Sequence, residues 1–435
     1  MTTSAIKDGA EGVIAAPRRA LFNMAAKGVS LAAEKGAQLV LVLVAAPALG
    51  AAGFGRYSYA ASLAAILAFG TDLGLTIWTT REIARDTGVA PGVLGTALRL
   101  RLTASAVVLV LLSALAAAAD GADLRWALLA LGIASLARAL LDHARAVFRA
   151  HERLADEGKV NTVTAVLATA GGLAALYGAG GGVRALAIGV MAGTLVGAAY
   201  GFMLLERGYG VSGHGDRDVP ADRALVRRML RESLPFWFAG IFTLIYARAD
   251  VVVLRWLASD AEVGAYRTAG QLVEVAKQLP VLLLTALFPQ LARAFQRSAS
   301  HRVRLERRVL LLLAAGGLVV AGALAVVADP MVRLLFGPQF ARTIPALRAL
   351  AGAVPLLFVN CGLLHFFVAR DRGTLNVAFG GAMVLVNLLA NVLLCRRFGA
   401  VGSGLATVVT EAALTACCFY ALRILRRETA ETAPR

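Results

Sequence analysis

The sequence predicts an all-α, polytopic integral membrane protein of twelve spans, arranged as two six-helix lobes with both termini in the cytoplasm. Three observations carry this: apolar runs of span length, a one-sided distribution of arginine among the connections, and a repeat halfway along the chain. Of 435 residues, 59% are hydrophobic and 16% charged, with a mean hydropathy of +0.72. A soluble domain carries about a quarter charged residues. The runs lie near 27–49, 57–79, 93–118, 124–148, 160–180 and 184–205, then 233–257, 263–288, 309–328, 343–368, 374–395 and 400–424. Each approaches the ~20 residues that cross a ~30 Å hydrocarbon core.

The net charge of +17 would suggest nucleic acid on a soluble chain. On a membrane protein it reads as basic loops holding the cytoplasmic face, with no nucleic-acid partner. The side shared with the N-terminus carries Arg18, Arg19, Arg81, Arg85, Arg149, Arg153 and Lys159. It continues with the arginines of 207–231, those of 293–308, then Arg370, Arg372, Arg426 and Arg427. The opposite side has Arg56, Arg125, Arg184, Arg333, Arg342, Arg396 and Arg397, and its 258–262 turn holds only Asp260 and Glu262. The bias holds in both halves, so the N-in, C-in reading does not rest on one helix count. Residues 1–17 lack the apolar centre of a cleavable signal, so the first span is expected to direct insertion. Cys361, Cys395, Cys417 and Cys418 fall in or beside apolar runs, without metal-ligand spacing.

The polar connection 206–231 divides the chain into lobes at 1–205 and 232–435. Six is even, so both halves enter the membrane in the same direction, and homologous halves would be parallel repeats. They match in sequence. FGRYSYAASL (54–63) aligns with VGAYRTAGQL (263–272) through Gly55, Tyr57, Ala60 and Leu63 against Gly264, Tyr266, Ala269 and Leu272. A similar Ile/Leu-Ala-Arg step follows at 83–85 and 291–293.

An ionised group at mid-span costs about 2.5–3.5 kcal/mol even on an insertion scale, so such residues must face one another or water. The first span carries a stripe of Asn23, Lys27, Ser30, Glu34 and Gln38 at steps of three and four. Ser58, Ser62, Asp72, Thr76 and Thr79 line one side of the second. The seventh places Arg248 and Arg255 on one stripe and Asp250, Tyr246 and Thr243 on another. The eighth repeats Arg267, Gln271, Glu274 and Gln278, with Lys277 adjacent. These are the leading spans of each half, where a shared cavity is expected. Glu34, Asp72, Arg248 and Asp250 are its expected lining.

The other polar residues admit plainer readings. Arg99, Arg145 and Arg255 are expected to reach an interface, and Arg138–Asp142 and Glu274–Lys277 to form local pairs or serve transport. Asn376, Asn387 and Asn391 are expected to bond between helices, beside a twelfth span carrying Thr407, Glu411 and Thr415. Gly189, Gly193, Gly197 and Gly201 form a packing ridge, and Pro280, Pro289 and Pro355 allow kinks. The sequence has no Walker A loop, zinc-ligand spacing or nucleophile elbow. No enzyme activity and no cofactor are therefore expected.

The stretch ALGAAGFGRYSYAASLAAILAFGTDLGLTIWTTREIARD (48–86) resembles the signature of prokaryotic polysaccharide transporters, the Wzx-type O-antigen flippases. These belong to the multidrug/oligosaccharidyl-lipid/polysaccharide exporter superfamily. VGAYRTAGQL and MVRLLFGPQF (331–340) extend the resemblance into the second half. It implies MATE-like parallel repeats around a cavity that opens alternately to each side of a bacterial inner membrane. The implied cargo is an undecaprenyl-pyrophosphate-linked oligosaccharide whose lipid tail stays outside the cavity, with the polysaccharide polymerase machinery as a partner. Lys27, Lys35, Arg248 and Lys277 would then contact pyrophosphate or acidic sugar. Glu34, Asp72, Asp250 and Glu274 would pair with them or carry H+ or Na+. The lipid II branch usually has fourteen spans, so twelve points towards a repeat-unit or exopolysaccharide flippase. A cation-coupled multidrug or metabolite antiporter of the same superfamily is the alternative. A membrane-embedded glycosyltransferase is disfavoured by short outer loops.

Overall fold

The computed structural model describes residues 4–431 except 87, 89, 179, 210–222, 285–298 and 371. The described chain is helical throughout, with α1 Ser4–Phe69, α2 Leu75–Arg85, α3 Ala90–Ala118, α4 Ala122–Ala150, α5 Leu154–Gly178 and α6 Gly182–Tyr209. After the polar connection come α7 Arg223–Leu257, α8 Asp260–Ala276, α9 Ala299–Phe336, α10 Thr343–Ala351, α11 Val354–Val368 and α12 Thr374–Glu431. Among the described residues, eight helices are long and apolar enough to cross a membrane, or nine if α10 and α11, bent by 42° at their junction, form one span. The molecule is a multi-pass membrane protein. Large apolar side chains remain fully presented along its helices, among them Val110, Val326, Leu334 and Leu393. Such a surface is a liability in water and is ordinary against lipid.

Two expected turns are reduced to single residues. α1 breaks at Gly50 (φ 70, ψ 169) and α12 at Gly399 (φ 55, ψ −129). Both glycines occupy the left-handed half of the map, where a Cβ is strained, and each kinks the helix without a loop. At Gly399 a Cβ would also meet the Glu262 carboxylate at 2.7 Å.

The expected continuous second span, 57–79, is corrected. Helix α1 ends at Phe69, residues 70–74 form a turn with Leu73 at φ 48 and Gly74 at φ 74, and α2 starts anew at Leu75. The cause is Asp72, whose carboxylate accepts from the backbone N–H of Gly74 (3.2 Å) and Thr76 (3.3 Å). This satisfies orphan donors of the new helix. Hydropathy passes over the break because the residues on both sides remain apolar. Pro355 opens α11 directly after the 42° bend that separates it from α10. Pro289 and the 291–293 step lie outside the described residues.

The chain forms two compact units, residues 1–44 with 64–238, and residues 45–63 with 239–435. In the first, Leu75, Trp78 and Ile83 of α2 pack with Val93 and Leu94 of α3, and with Leu141, Val147 and Phe148 of α4. The α6 glycine ridge is a packing surface, as expected. A Cβ on Gly189 would approach the Gly171 carbonyl oxygen to 2.2 Å, and one on Gly193 the Leu167 carbonyl oxygen to 2.0 Å. Helices α5 and α6 therefore touch backbone to backbone, the use membrane proteins make of small residues. In the second unit, Leu363 and Phe367 of α11 pack on Met383, Leu414, Cys418 and Leu422 of α12.

Candidate functional site

In the first unit, the α1 stripe docks the helix onto the α4–α5 junction. Asn23 donates to the Glu152 carbonyl (2.9 Å) and Ser30 to that of Gly158 (3.0 Å). Lys27 Nζ lies 2.8 Å from Glu157 Oε1, and Arg149 Nη2 reaches the same oxygen at 2.7 Å. The Glu157 side chain is fully buried, so the two cations neutralise a charge that could not otherwise stay there. Further along, Glu34 is exposed and Lys35 half-buried. The stripe thus splits into a docking part and a more open part.

Asp72 has a partner that helical phase did not disclose. Arg101 Nη2 lies 2.6 Å from Asp72 Oδ1, donates to Thr76 Oγ1 at 2.7 Å, and through Nη1 to the Ala139 carbonyl at 2.8 Å. Arg101 is 1% exposed, and by volume it is the largest fully buried side chain among the described residues. An arginine well inside the third apolar run was the available signal, since such a group demands an acid nearby. The same helix corner also holds Thr76 to Asp72 through its hydroxyl. Arg145, expected to reach the interface, instead pairs with Asp142 at 2.7 Å.

In the second unit, Asp250 of α7 accepts from the Tyr266 hydroxyl of α8 and from the Val251 backbone N–H. Nearby on α7, Tyr246 donates to Glu411 of α12. Asn360 of α11 donates to Glu411 Oε2 at 2.7 Å and accepts from Thr415 at 2.8 Å. Asn387 reaches Thr410 at 3.3 Å, an interhelical bond of the kind expected, whereas Asn391 bonds back to Asn387 within its own helix. The result is an oxygen-rich network joining α7, α8, α11 and α12. Its two carboxylates, Asp250 and Glu411, are bonded to hydroxyls, an amide and backbone. Such a setting can hold a proton or a small cation.

Glu411 and Asn360, each 2% exposed, were not among the candidates. Glu411 was visible in the sequence only as the acid between Thr407 and Thr415 on the twelfth span. Glu274 and Lys277 pair at 3.6 Å on one stretch of chain, both partly exposed, and Arg248 is half-buried on α7. Arg255 does not simply reach an interface; it lies 2.5 Å from Asp260. Among the described residues, no group of three or more His, Cys, Asp or Glu is placed to hold a metal ion.

A family model described as polysaccharide biosynthesis protein matches residues 21–295, and one described as lipid II flippase MurJ matches 159–432. The chain is 23% identical over 384 residues to a probable low-salt glycan biosynthesis flippase, Agl15, of Haloferax volcanii. That alignment covers 87% of this chain and 78% of the relative. A second Haloferax volcanii protein, the probable flippase AglR, is 24% identical over 40% of this chain and 37% of its own length. The fold matches a multidrug resistance MATE family transporter of the MOP superfamily in its inward-facing conformation, with TM-score 0.77 and 15% identity. The match covers 94% of this chain and all of that one. It also matches lipid II flippase MurJ in an inward closed conformation, with TM-score 0.75 and 12% identity over 93% of this chain and 87% of that one.

Proposed function

Because the chain belongs to the polysaccharide biosynthesis protein family, as a Wzx-type flippase of the MOP superfamily, we propose that it carries an undecaprenyl-pyrophosphate-linked oligosaccharide across a bacterial inner membrane by alternating access. The observation that carries this reading is the likeness to a glycan flippase along 87% of the chain. The cargo is an O-antigen or exopolysaccharide repeat unit, handed on to the polymerase machinery.

The architecture belongs to the same proposal. Splitting α1 at Gly50 and α12 at Gly399, and joining α10 with α11, gives twelve spans in lobes 1–205 and 232–435, with both termini cytoplasmic. A reporter fused after residue 206 or 435 is expected to score cytoplasmic; a periplasmic signal contradicts the topology. Lys35, Arg248 and Lys277 supply counter-charge for the pyrophosphate, with Lys27 released from Glu157 when cargo arrives. Glu34 and Glu274 set the selectivity of the same path. Cationic groups suit this cargo because a pyrophosphate leaving water needs charge-assisted donors. Asp250 with Glu411 serves as the site for a coupling H+ or Na+, and Asp72 holds the α1–α2 corner through Arg101.

Deleting the gene tests the reading. The lipid-linked precursor should accumulate and the surface polysaccharide should be lost. Undiminished export in a strain without a second flippase would contradict the cargo, and cation exchange without any glycan defect would favour an antiporter.

A further inference from the structure

Helix α7 has 35 residues, against the ~20 that cross a hydrocarbon core, and its apolar run begins only at 233. The stretch 223–232 therefore lies at the level of lipid headgroups or just beyond. One face of it is fixed to the first unit. Met229 is buried in the core that holds Leu75 and Trp78, and Leu225 packs against that core. Arg228 pairs with Glu82 at 2.8 Å and with Glu232 at 3.2 Å, and Glu232 accepts from Trp78 Nε1 at 2.8 Å. These contacts occupy both carboxylates.

The opposite face has a different chemistry. Arg223, Arg227 and Arg231 recur at steps of four, which places them in one stripe about 12 Å long. All three are exposed, and among the described residues none has a hydrogen-bond or ion-pair partner. Beside the stripe, Val226 and Leu230 are half-buried. With Arg223 and Arg227 they line an open cleft of about 530 Å³, a volume within the ~300–1,000 Å³ of small-molecule sites. The donors are side chains spread along the stripe, not the amides of one helix end. Holding a topology requires net positive charge in a connection and nothing more. Guanidiniums in phase beside an apolar wall, on a helix fixed along its other face, exceed that requirement.

We propose that this cleft binds an anionic phospholipid of the surrounding membrane. A guanidinium suits phosphate because its forked donors bond two oxygens at once. Arg223 and Arg227 flank the phosphate, and Arg231 adds charge from the same stripe. Val226 and Leu230 face the glycerol backbone and the first carbons of an acyl chain. A free phosphate gains nothing from that wall. Occupancy fastens the start of α7, where the polar connection enters the second set of spans, to the membrane surface. The site needs only that the chain lies in a membrane, and it is independent of the cargo proposed above.

The test uses the purified full chain, stripped of lipid in a neutral detergent. It is titrated with phosphatidylglycerol or phosphatidylcholine, and bound lipids are counted by native mass spectrometry. One phosphatidylglycerol should bind at least about tenfold more tightly than phosphatidylcholine. Arg223→Gln combined with Arg227→Gln should weaken it about tenfold, the loss expected when charge-assisted bonds to one phosphate are removed. Arg304→Gln combined with Arg307→Gln removes as much charge from exposed positions on α9. That variant should keep the affinity within about twofold of the parent, since its charges are remote from the cleft. Equal affinity in the parent and the α7 variant, both monodisperse, would overturn the site. So would an equal loss in the α9 variant, because diffuse charge would then account for the binding. Inorganic phosphate at millimolar concentration should leave the lipid in place; if it displaces the lipid, the occupant is a free anion and the lipid assignment falls.

Discussion

At the residue scale, the behaviour of this protein is governed by buried charges and by what each is paired with. Arg101 has Asp72, Glu157 has Lys27 and Arg149, and the equally buried Glu306 has Arg370 and, at 2.9 Å, Arg426. Removing one member of such a set leaves the other uncompensated, which costs about 3–5 kcal/mol. Asp72→Asn should therefore lower the thermal midpoint of the purified protein substantially, and Arg101→Met added to it should restore part of the loss. An additive double variant would contradict the pairing. Glu306→Gln should be more damaging than Arg426→Gln, because the first strands two cations, whereas after the second Arg370 still neutralises Glu306. Thermal midpoints of the two variants, measured side by side, decide this.

At the element scale, backbone-to-backbone contact decides how closely helices pack. Helices α5 and α6 meet through Gly171, Gly189 and Gly193 with no side chain between them. Gly193→Leu would have to push the helices apart, a distortion costing at least the ~1–3 kcal/mol of ordinary overpacking. The expected outcome is loss of the folded protein from membranes, read as monodisperse yield. An unchanged yield would mean that the seam is loose.

The same scale shows how far sequence can see. Helices, their order, the glycine ridge and the Gly55/Gly264 repeat follow from composition and spacing, because each depends on residues adjacent along one helix. The break at 70–74 did not, since a cap formed by Asp72 changes no hydropathy. Nor did the partners of Asp72, Glu157 and Glu411. Helical phase states which face a residue occupies, but the neighbour, 29 residues on for Arg101 and 165 residues back for Tyr246, depends on packing. Of the eight predicted site residues, Asp250 was brought into a network with Tyr266, while Lys27 and Asp72 were placed in ion pairs with residues the stripes had not singled out.

At the scale of the whole molecule, a flippase must move a polar head group through a bilayer while a lipid tail remains in it, and must avoid being open to both faces at once. The elements proposed for cargo and for coupling are separate: cationic residues on α1, α7 and the stretch after α8, and an oxygen-rich network in the second unit. The most direct test of cargo translocation is reconstitution of the purified chain into liposomes containing a lipid-linked oligosaccharide, with an external glycosidase that reaches only the outer leaflet. Cleavage is expected to exceed the outer-leaflet fraction and to approach completion when active protein is present. Cleavage that stops at the outer-leaflet fraction, in vesicles shown to contain folded protein, would contradict the proposed function.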